Sequence, residues 1–421
     1  MTRLNRRPVR PWALGVLLIN FAGGGQAEPL SFHAALELAL RESPALTADA
    51  ADLDAAQQAA IPAGALPDPK LALGIENLPV EGADRYRLDQ DAMTMRRLAL
   101  MQEFPNRSKR EARVAAAQSR VDMAEAQARA TQRIVRHETA VAWIARHTTE
   151  LQLARMEALF DENRLFDAAV RARLSGGQAM AAEALAPRQE AAVIEERRDG
   201  LRARREQAIA DLKRWIGAAA DAPLEGEPPE WPIVGEDLLH GLHQHPELAI
   251  LDSQQRVLNA ELREARAAKQ PDWALELAYQ QRDARFGDMV SLQVAFDLPL
   301  FPGTRQNPQI AAKHAATAAL AAEREALLRE HAALLETDLA QYQRLVQAVR
   351  RQREVLLPLA EEKVALTMAA WRGGKSSLSE VVTARRERLV AELDAIALDG
   401  ERRQLAARLH YIYGDAAGAQ P

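Results

Sequence analysis

Apolar positions along the chain follow two different periods, and the switch between them marks out its parts. From Asn106 to Ser175 there are 70 residues without a glycine or proline. Within that stretch Val114, Val121, Ala128, Val135 and Ala142 recur every seventh residue. The spacing predicts a single helix of roughly 100 Å, at about 1.5 Å per residue, packed sideways against other helices. Gln309 to Arg372 repeats the pattern through Leu320, Leu327 and Leu334. It is interrupted only by Pro358, where a local kink is expected. Each long block stops at a glycine pair, Gly176-Gly177 and Gly373-Gly374. Such pairs favour a left-handed turn, so shorter return helices are expected over 178–217 and 375–413.

Ahead of each long block the period drops to two. In Lys70 to Asn77, Leu71, Leu73 and Ile75 share one face; in Trp273 to Gln281, Trp273, Leu275, Leu277 and Tyr279 do the same. Returning strands are expected over Ala92 to Glu103 and Met289 to Leu300. In the second of these, Val290, Leu292, Val294, Phe296 and Leu298 oppose Ser291, Gln293 and Asp297. Strict alternation over about 9–11 residues suits a strand with one face on lipid and one on a water-filled lumen. Before the strands, Pro44 to Ile61 and Pro246 to Gln270 read as helices with proline in the first turn, Ser43 serving as an N-cap.

The two blocks are copies of one plan. Phe104-Pro105 returns as Phe301-Pro302, Gly176-Gly177 as Gly373-Gly374, Glu183 as Glu380 and Gly217 as Gly414, each 197 positions later. Ser43-Pro44 echoes His245-Pro246, and Pro67-Asp68 echoes Pro271-Asp272. The order helix, strand, strand, long helix, return helix therefore occurs twice, in repeats spanning 28–220 and 221–417. The period is too long for an ordinary solenoid.

Composition narrows the reading. Aromatic residues make up 5% of the chain against 27% charged, a balance suited to long helices rather than compact cores. There is no cysteine, which excludes disulfides, thiolate metal sites and a lipidated N-terminal cysteine. A net charge of −5 gives no electrostatic case for nucleic acid. Arg3, Arg6, Arg7 and Arg10, the short apolar run Trp12 to Phe21 and the small residues of Gly25-Gln26-Ala27 read as an export signal over 1–27. Beyond it no apolar stretch reaches the roughly 20 residues of a membrane-spanning helix, so any membrane segment must be made of strands. Four strands per chain leave two edges unpaired, which lipid does not tolerate. Three chains would supply twelve strands and close the sheet, while burying the apolar stripes of the long helices.

With this plan in view, the chain resembles the TolC-like outer membrane factors of tripartite efflux pumps over essentially all of 28–415. The resemblance rests on Leu66-Pro67-Asp68-Pro69, Glu76-Asn77-Leu78-Pro79 and Met101-Gln102-Glu103-Phe104-Pro105-Asn106. It also rests on the tip motifs Gly177 to Glu183 and Gly374 to Val382. The Pro-Asp-Pro and Asn-Leu-Pro stretch is most similar to the heavy-metal branch, the CzcC- and CusC-like proteins, although the missing cysteine departs from its lipidated members. The resemblance implies a mainly α fold with a small transmembrane β part. It implies a homotrimeric twelve-stranded barrel in the outer membrane of a Gram-negative bacterium, continued by a helical barrel across the periplasm. The implied partners are outer-membrane lipid, a periplasmic membrane-fusion adaptor and an inner-membrane resistance-nodulation-division transporter. Conduction would be passive, with no cofactor and no catalysis.

The resemblance also places the tunnel's periplasmic entrance at the helix tips. Glu380 lies six residues past Gly374, and Glu183 six past Gly177. Carboxylates arranged symmetrically round a narrow tube would concentrate cations and repel one another, and Lys375 and Arg372 are close enough in sequence to act as counter-charges. The plainer reading makes all four solvated tip charges. Thr383 stands where some family members carry a second acid. His240, His243 and His245 form a tempting metal cluster, but His245 holds the capping position before Pro246, so no metal site is assigned. Met93, Met95 and Met101 read as apolar filling, and Trp273 and Tyr279 as interface anchors. Two alternatives remain open: an exit duct for drugs or a secreted polypeptide, and a periplasmic coiled-coil scaffold without a pore.

Overall fold

The computed structural model describes residues 29–177 and 180–414, so the expected export signal lies outside the described residues. In chain order the elements are β1 (Leu30–Ser31), α1 (Phe32–Glu42), α2 (Pro44–Ala60), β2 (Lys70–Glu76), β3 (Met95–Phe104) and α3 (Arg107–Ser175). A 3-10 turn at Ala181–Leu185 leads into α4 (Ala186–Ile216), followed by β4 (Leu224–Glu225), α5 (Gly235–Gly241) and α6 (Pro246–Ala267). Then come β5 (Trp273–Gln281), β6 (Met289–Phe296), α7 (Gln306–Arg351), α8 (Leu357–Arg372) and α9 (Leu378–Arg408).

The 69 residues of α3 make it roughly 100 Å long. Its start is fixed by Asn106, whose side-chain oxygen accepts the Lys109 N–H at 2.9 Å. Its counterpart is split between α7 and α8 by a π-helical turn at Gln352–Leu356. Pro358 sits in the first turn of α8, where it has no N–H to give and its ring crowds the carbonyl one turn back. The widened turn absorbs that clash, so the expected kink takes the form of a π-bulge just before the proline. Other boundaries shift by a few residues. The return helices begin at Ala186 and Leu378 rather than 178 and 375, and the last strand ends at Phe296 rather than Leu300. Ser43 precedes α2 as expected, but its hydroxyl makes no capping bond there; its carbonyl accepts the Thr47 N–H and hydroxyl, each at 3.2 Å, and Pro44 fills the first turn.

Four strands form one antiparallel sheet in the order β2-β3-β5-β6. Its register sorts the side chains by face. One face carries the rows Leu73–Leu98–Tyr279–Val290 and Leu71–Leu100–Leu277–Leu292. All eight side chains are exposed. The opposite face carries Ala72–Ala99–Ala278–Ser291, flanked by rows containing Arg97, Gln280, Lys70 and Glu276. On that side Arg97 pairs with Glu76 at 3.3 Å and also with Glu276, while Lys70 meets Glu103. The outer edges, β2 and β6, have no strand partner among the described residues.

The core lies midway along the long helices. Trp143 and Ile144 of α3, Leu212 and Ile216 of α4, and Ala406 and Ala407 of α9 pack there with Phe32, Ala35 and Ala39 of α1. A short parallel ladder pairs Leu30 with Leu224, and the Trp143 indole N–H donates to the Leu30 carbonyl at 3.3 Å. Buried Arg146 donates to the Ala220 carbonyl at 2.6 Å. Elsewhere burial is sparse: α2 has no buried residue, and in α8 only Trp371 is buried. In α7 the expected heptad line drifts. Leu320 is buried, but Leu334 is 40% exposed and Leu335 takes the core position. Among the described residues no helix is long and apolar enough to cross a membrane.

Candidate functional site

The two helix tips are built alike. At the first, the Gly176 N–H donates to the Ala172 carbonyl at 3.1 Å and the Gly177 N–H to Leu174 at 3.0 Å. At the second, Gly373 donates to Ala369 at 3.1 Å and Gly374 to Trp371 at 3.0 Å. Gly177 and Gly374 have φ of +71° and +70°, a left-handed conformation that closes the helix and that a side chain would strain. The tips are fastened side by side. Arg173 lies 4.4 Å over the Trp371 ring and donates to the Trp371 carbonyl at 2.7 Å. Beneath them Phe166, Val170, Trp371, Leu378, Val381 and Val382 form a local core.

Both tip carboxylates sit at the start of a return segment. Ser377 caps α9 by accepting the Glu380 N–H at 3.3 Å, and the exposed Glu380 carboxylate accepts the Ser376 hydroxyl at 2.6 Å. Glu183, half-buried, accepts the Met180 N–H at 3.3 Å through its side chain. A carboxylate in the first turn of a helix also faces the positive end of the helix dipole. Lys375 and Arg372 are exposed, and among the described residues neither is within ion-pair distance of an acid. Within one chain, then, Glu380 and Glu183 are held by hydroxyl and backbone donors rather than by the counter-charges that sequence spacing brings near them.

Sequence reasoning missed the ion pairs that lock the hairpins behind the tips. Arg385 of α9 and Glu190 of α4 pair at 3.0 Å with both side chains buried. Arg155 of α3 grips Glu392 with both ends of its guanidinium, at 2.6 and 2.7 Å, and Arg388 bonds Glu162. The signal was present as spacing: Arg385, Arg388 and Glu392 lie three and seven residues apart, as do Arg155 and Glu162 at seven, on the stripe that also carries apolar residues.

The three histidines do not converge. His240 and His243 are exposed, and His240 Nδ1 approaches the Glu236 carbonyl at 2.7 Å. His245 is buried and caps α6, its Nδ1 accepting the Glu247 N–H at 3.3 Å. Burial, and then the neighbouring His331, push the His245 imidazole down to about 4.

Neither a family model nor a curated relative matches the chain. Solved structures do. A membrane protein from Pseudomonas aeruginosa matches with a TM-score of 0.78 at 17% identity, over 92% of this chain and 92% of its own. The outer membrane protein VceC of Vibrio cholerae gives 0.74 at 20% identity, over 91% of this chain and 96% of that one. CusC, described in the context of folding and transmembrane channel formation, gives 0.76 at 16% identity over 98% and 99%. CmeC of Campylobacter jejuni, a further neighbour, is an outer membrane channel. At these identities the likeness establishes the fold: this chain has the mainly helical, small-sheet architecture of the TolC-like outer-membrane channels.

Proposed function

We propose that the chain is the outer-membrane channel subunit of a tripartite efflux pump and works as a homotrimer. The single observation that carries this reading is the four-stranded sheet. One face is apolar and exposed, the other small and polar, and among the described residues both edges lack partners. In lipid an open edge leaves backbone groups unsatisfied, so a second and third copy must continue the sheet, giving a closed wall of twelve strands with the polar face round water. The sparse burial along α2, α7 and α8 leaves surfaces that the same copies would cover.

In this assembly the long helices carry the duct across the periplasm to an entrance at the tips, where Glu380 and Glu183 face incoming cargo. A periplasmic membrane-fusion adaptor and an inner-membrane resistance-nodulation-division transporter supply energy and selectivity; the duct conducts passively. Heavy-metal cations are the cargo that the Leu66 to Pro69 and Glu76 to Pro79 resemblance supports. Two assays test the proposal. Purified protein in planar bilayers is expected to give discrete conductance steps, and their absence from folded protein contradicts the channel. Deleting the gene is expected to lower tolerance to metal salts; lost tolerance to drugs alone would reassign the cargo.

A further inference from the structure

The imidazole that sequence placed in a run of three joins a different group in space. His331, in the middle of α7, lies with its ring centroid 4.0 Å from that of His245 and tilted by 35°. Its Nε2 is 2.9 Å from Glu247 Oε2, and its Nδ1 is buried with no hydrogen-bond partner. Each of the three residues offers a ligand atom, and these atoms all lie within 4.8 Å of one another. Two of the residues are more than nine-tenths buried, with His245 6% and His331 8% exposed. Glu247 is half-exposed and opens the group onto a pocket of about 420 Å³.

We propose that His245, Glu247 and His331 form a binding site for a divalent transition-metal ion that staples the start of α6 to the middle of α7. Two imidazole nitrogens and a carboxylate oxygen form a three-ligand set suited to zinc and its neighbours, with water from the pocket completing a tetrahedron. Donors about 2.0–2.2 Å from such an ion stand roughly 3.4 Å apart, and the present donors, within 4.8 Å of one another, are already near that spacing.

The surrounding charges permit a cation. Arg408 is engaged by Asp338 at 3.0 Å, and Arg133 donates to the carbonyls of Ile412 and Gly414 at 3.3 and 3.1 Å. Glu138 adds a negative charge beside His137. The site sits roughly 60 Å of helix from Gly373, counted along the 42 residues after His331. It is therefore separate from the entrance and does not depend on what the duct exports. Its work is structural: it ties two helices where Leu238, Leu242, Leu335, Leu409 and Tyr413 form the second of the mid-length cores.

The test uses the full-length protein purified in detergent, stripped with chelator and titrated with Zn²⁺ by calorimetry and with Co²⁺ by visible absorption. One ion per chain is expected, with the ligand-field bands of tetrahedral cobalt. Glu247→Gln, at a half-exposed position, and His331→Gln are each expected to weaken binding by at least about 100-fold, since losing a ligand exceeds the roughly 10–100-fold effect of losing an outer-shell partner. His240→Gln is expected to bind as the parent does. Circular dichroism and elution volume confirm that each variant is folded; if His331→Gln does not fold, Glu247→Gln decides alone. A parent protein that binds no ion, or a folded Glu247→Gln protein with unchanged affinity, overturns the proposal.

Discussion

Asp272 and Asn106, 166 positions apart and one from each half of the chain, are joined by two hydrogen bonds to a single oxygen. Asp272 Oδ1 accepts the Asn106 backbone N–H at 2.8 Å and its side-chain amide at 2.9 Å. The other oxygen receives the Lys109 ammonium at 2.7 Å. The contact sits where the sheet meets the helices, so it fixes the angle at which β5 leaves α6 beside the start of α3. Asp272→Ala leaves the Asn106 N–H and the Lys109 ammonium without their acceptor, while the Asn106 amide keeps the Ala267 carbonyl, and is expected to cost about 2–3 kcal/mol. Asp272→Asn, which keeps an acceptor, is expected to cost less. Thermal unfolding of the purified proteins reads the difference, and equal melting temperatures for parent and Asp272→Ala contradict it.

Arg385 and Glu190 hold the two return helices together out of water. Removing one partner leaves a buried charge without compensation, so Glu190→Gln or Arg385→Met alone is expected to lose about 3–5 kcal/mol. Replacing both, with Met at 385 and Leu at 190, is expected to recover most of the loss because an apolar pair needs no solvation. Hydrogen exchange over 160–200 and 370–395 measures the effect locally. Protection that falls equally in the single and double variants would show that the pair is not coupled.

Stability is expected to decline as the pH falls below about 6.5, the ordinary histidine value. His147 lies against Trp143, with ring centroids 5.1 Å apart. Burial, and then Arg403, lower its pKa, against the opposing pull of Glu227, Glu150 and Asp399. The folded state therefore resists a proton that the unfolded chain accepts, so the unfolded state binds more protons and stability rises with pH through this window. His410, lowered by burial and Arg136, acts in the same direction. A His147→Gln protein is expected to lose less melting temperature between pH 7.5 and 5.5, values chosen to span roughly that range. Identical profiles for variant and parent contradict the assignment.

At the proposed entrance, Glu380→Ala removes the exposed carboxylate that accepts the Ser376 hydroxyl. In planar bilayers the variant is expected to show a weaker cation preference, read as a shift in reversal potential under a salt gradient. Unchanged selectivity and open probability would return Glu380 to a capping role only.

Local pattern made much of this fold legible. The strand over Trp273–Gln281 is found at the bounds its alternation gave, and α3 ends at Ser175 where the glycine pair begins. Both follow from short-range rules, alternation on a pleat and a left-handed stop. The elements left unread are those whose burial comes from small residues or short runs. Helix α1 buries Ala35 and Ala39, which carry little apolar signal, and β1 is two residues long. At the tips, the position of Glu380 could be read from spacing, but its hydroxyl partner could not. Pairs such as Glu190 with Arg385 lie 195 positions apart. His245 shows the same limit: its capping role was legible from the proline after it, whereas its neighbour His331 comes from another helix 86 residues on.

The most direct test is the native mass of the protein extracted in mild detergent. If the two sheet edges left unpaired among the described residues are closed by other copies, as proposed, the particle is expected to hold three chains whose strands together surround water. A folded single chain, stable in detergent and keeping its sheet, would contradict it.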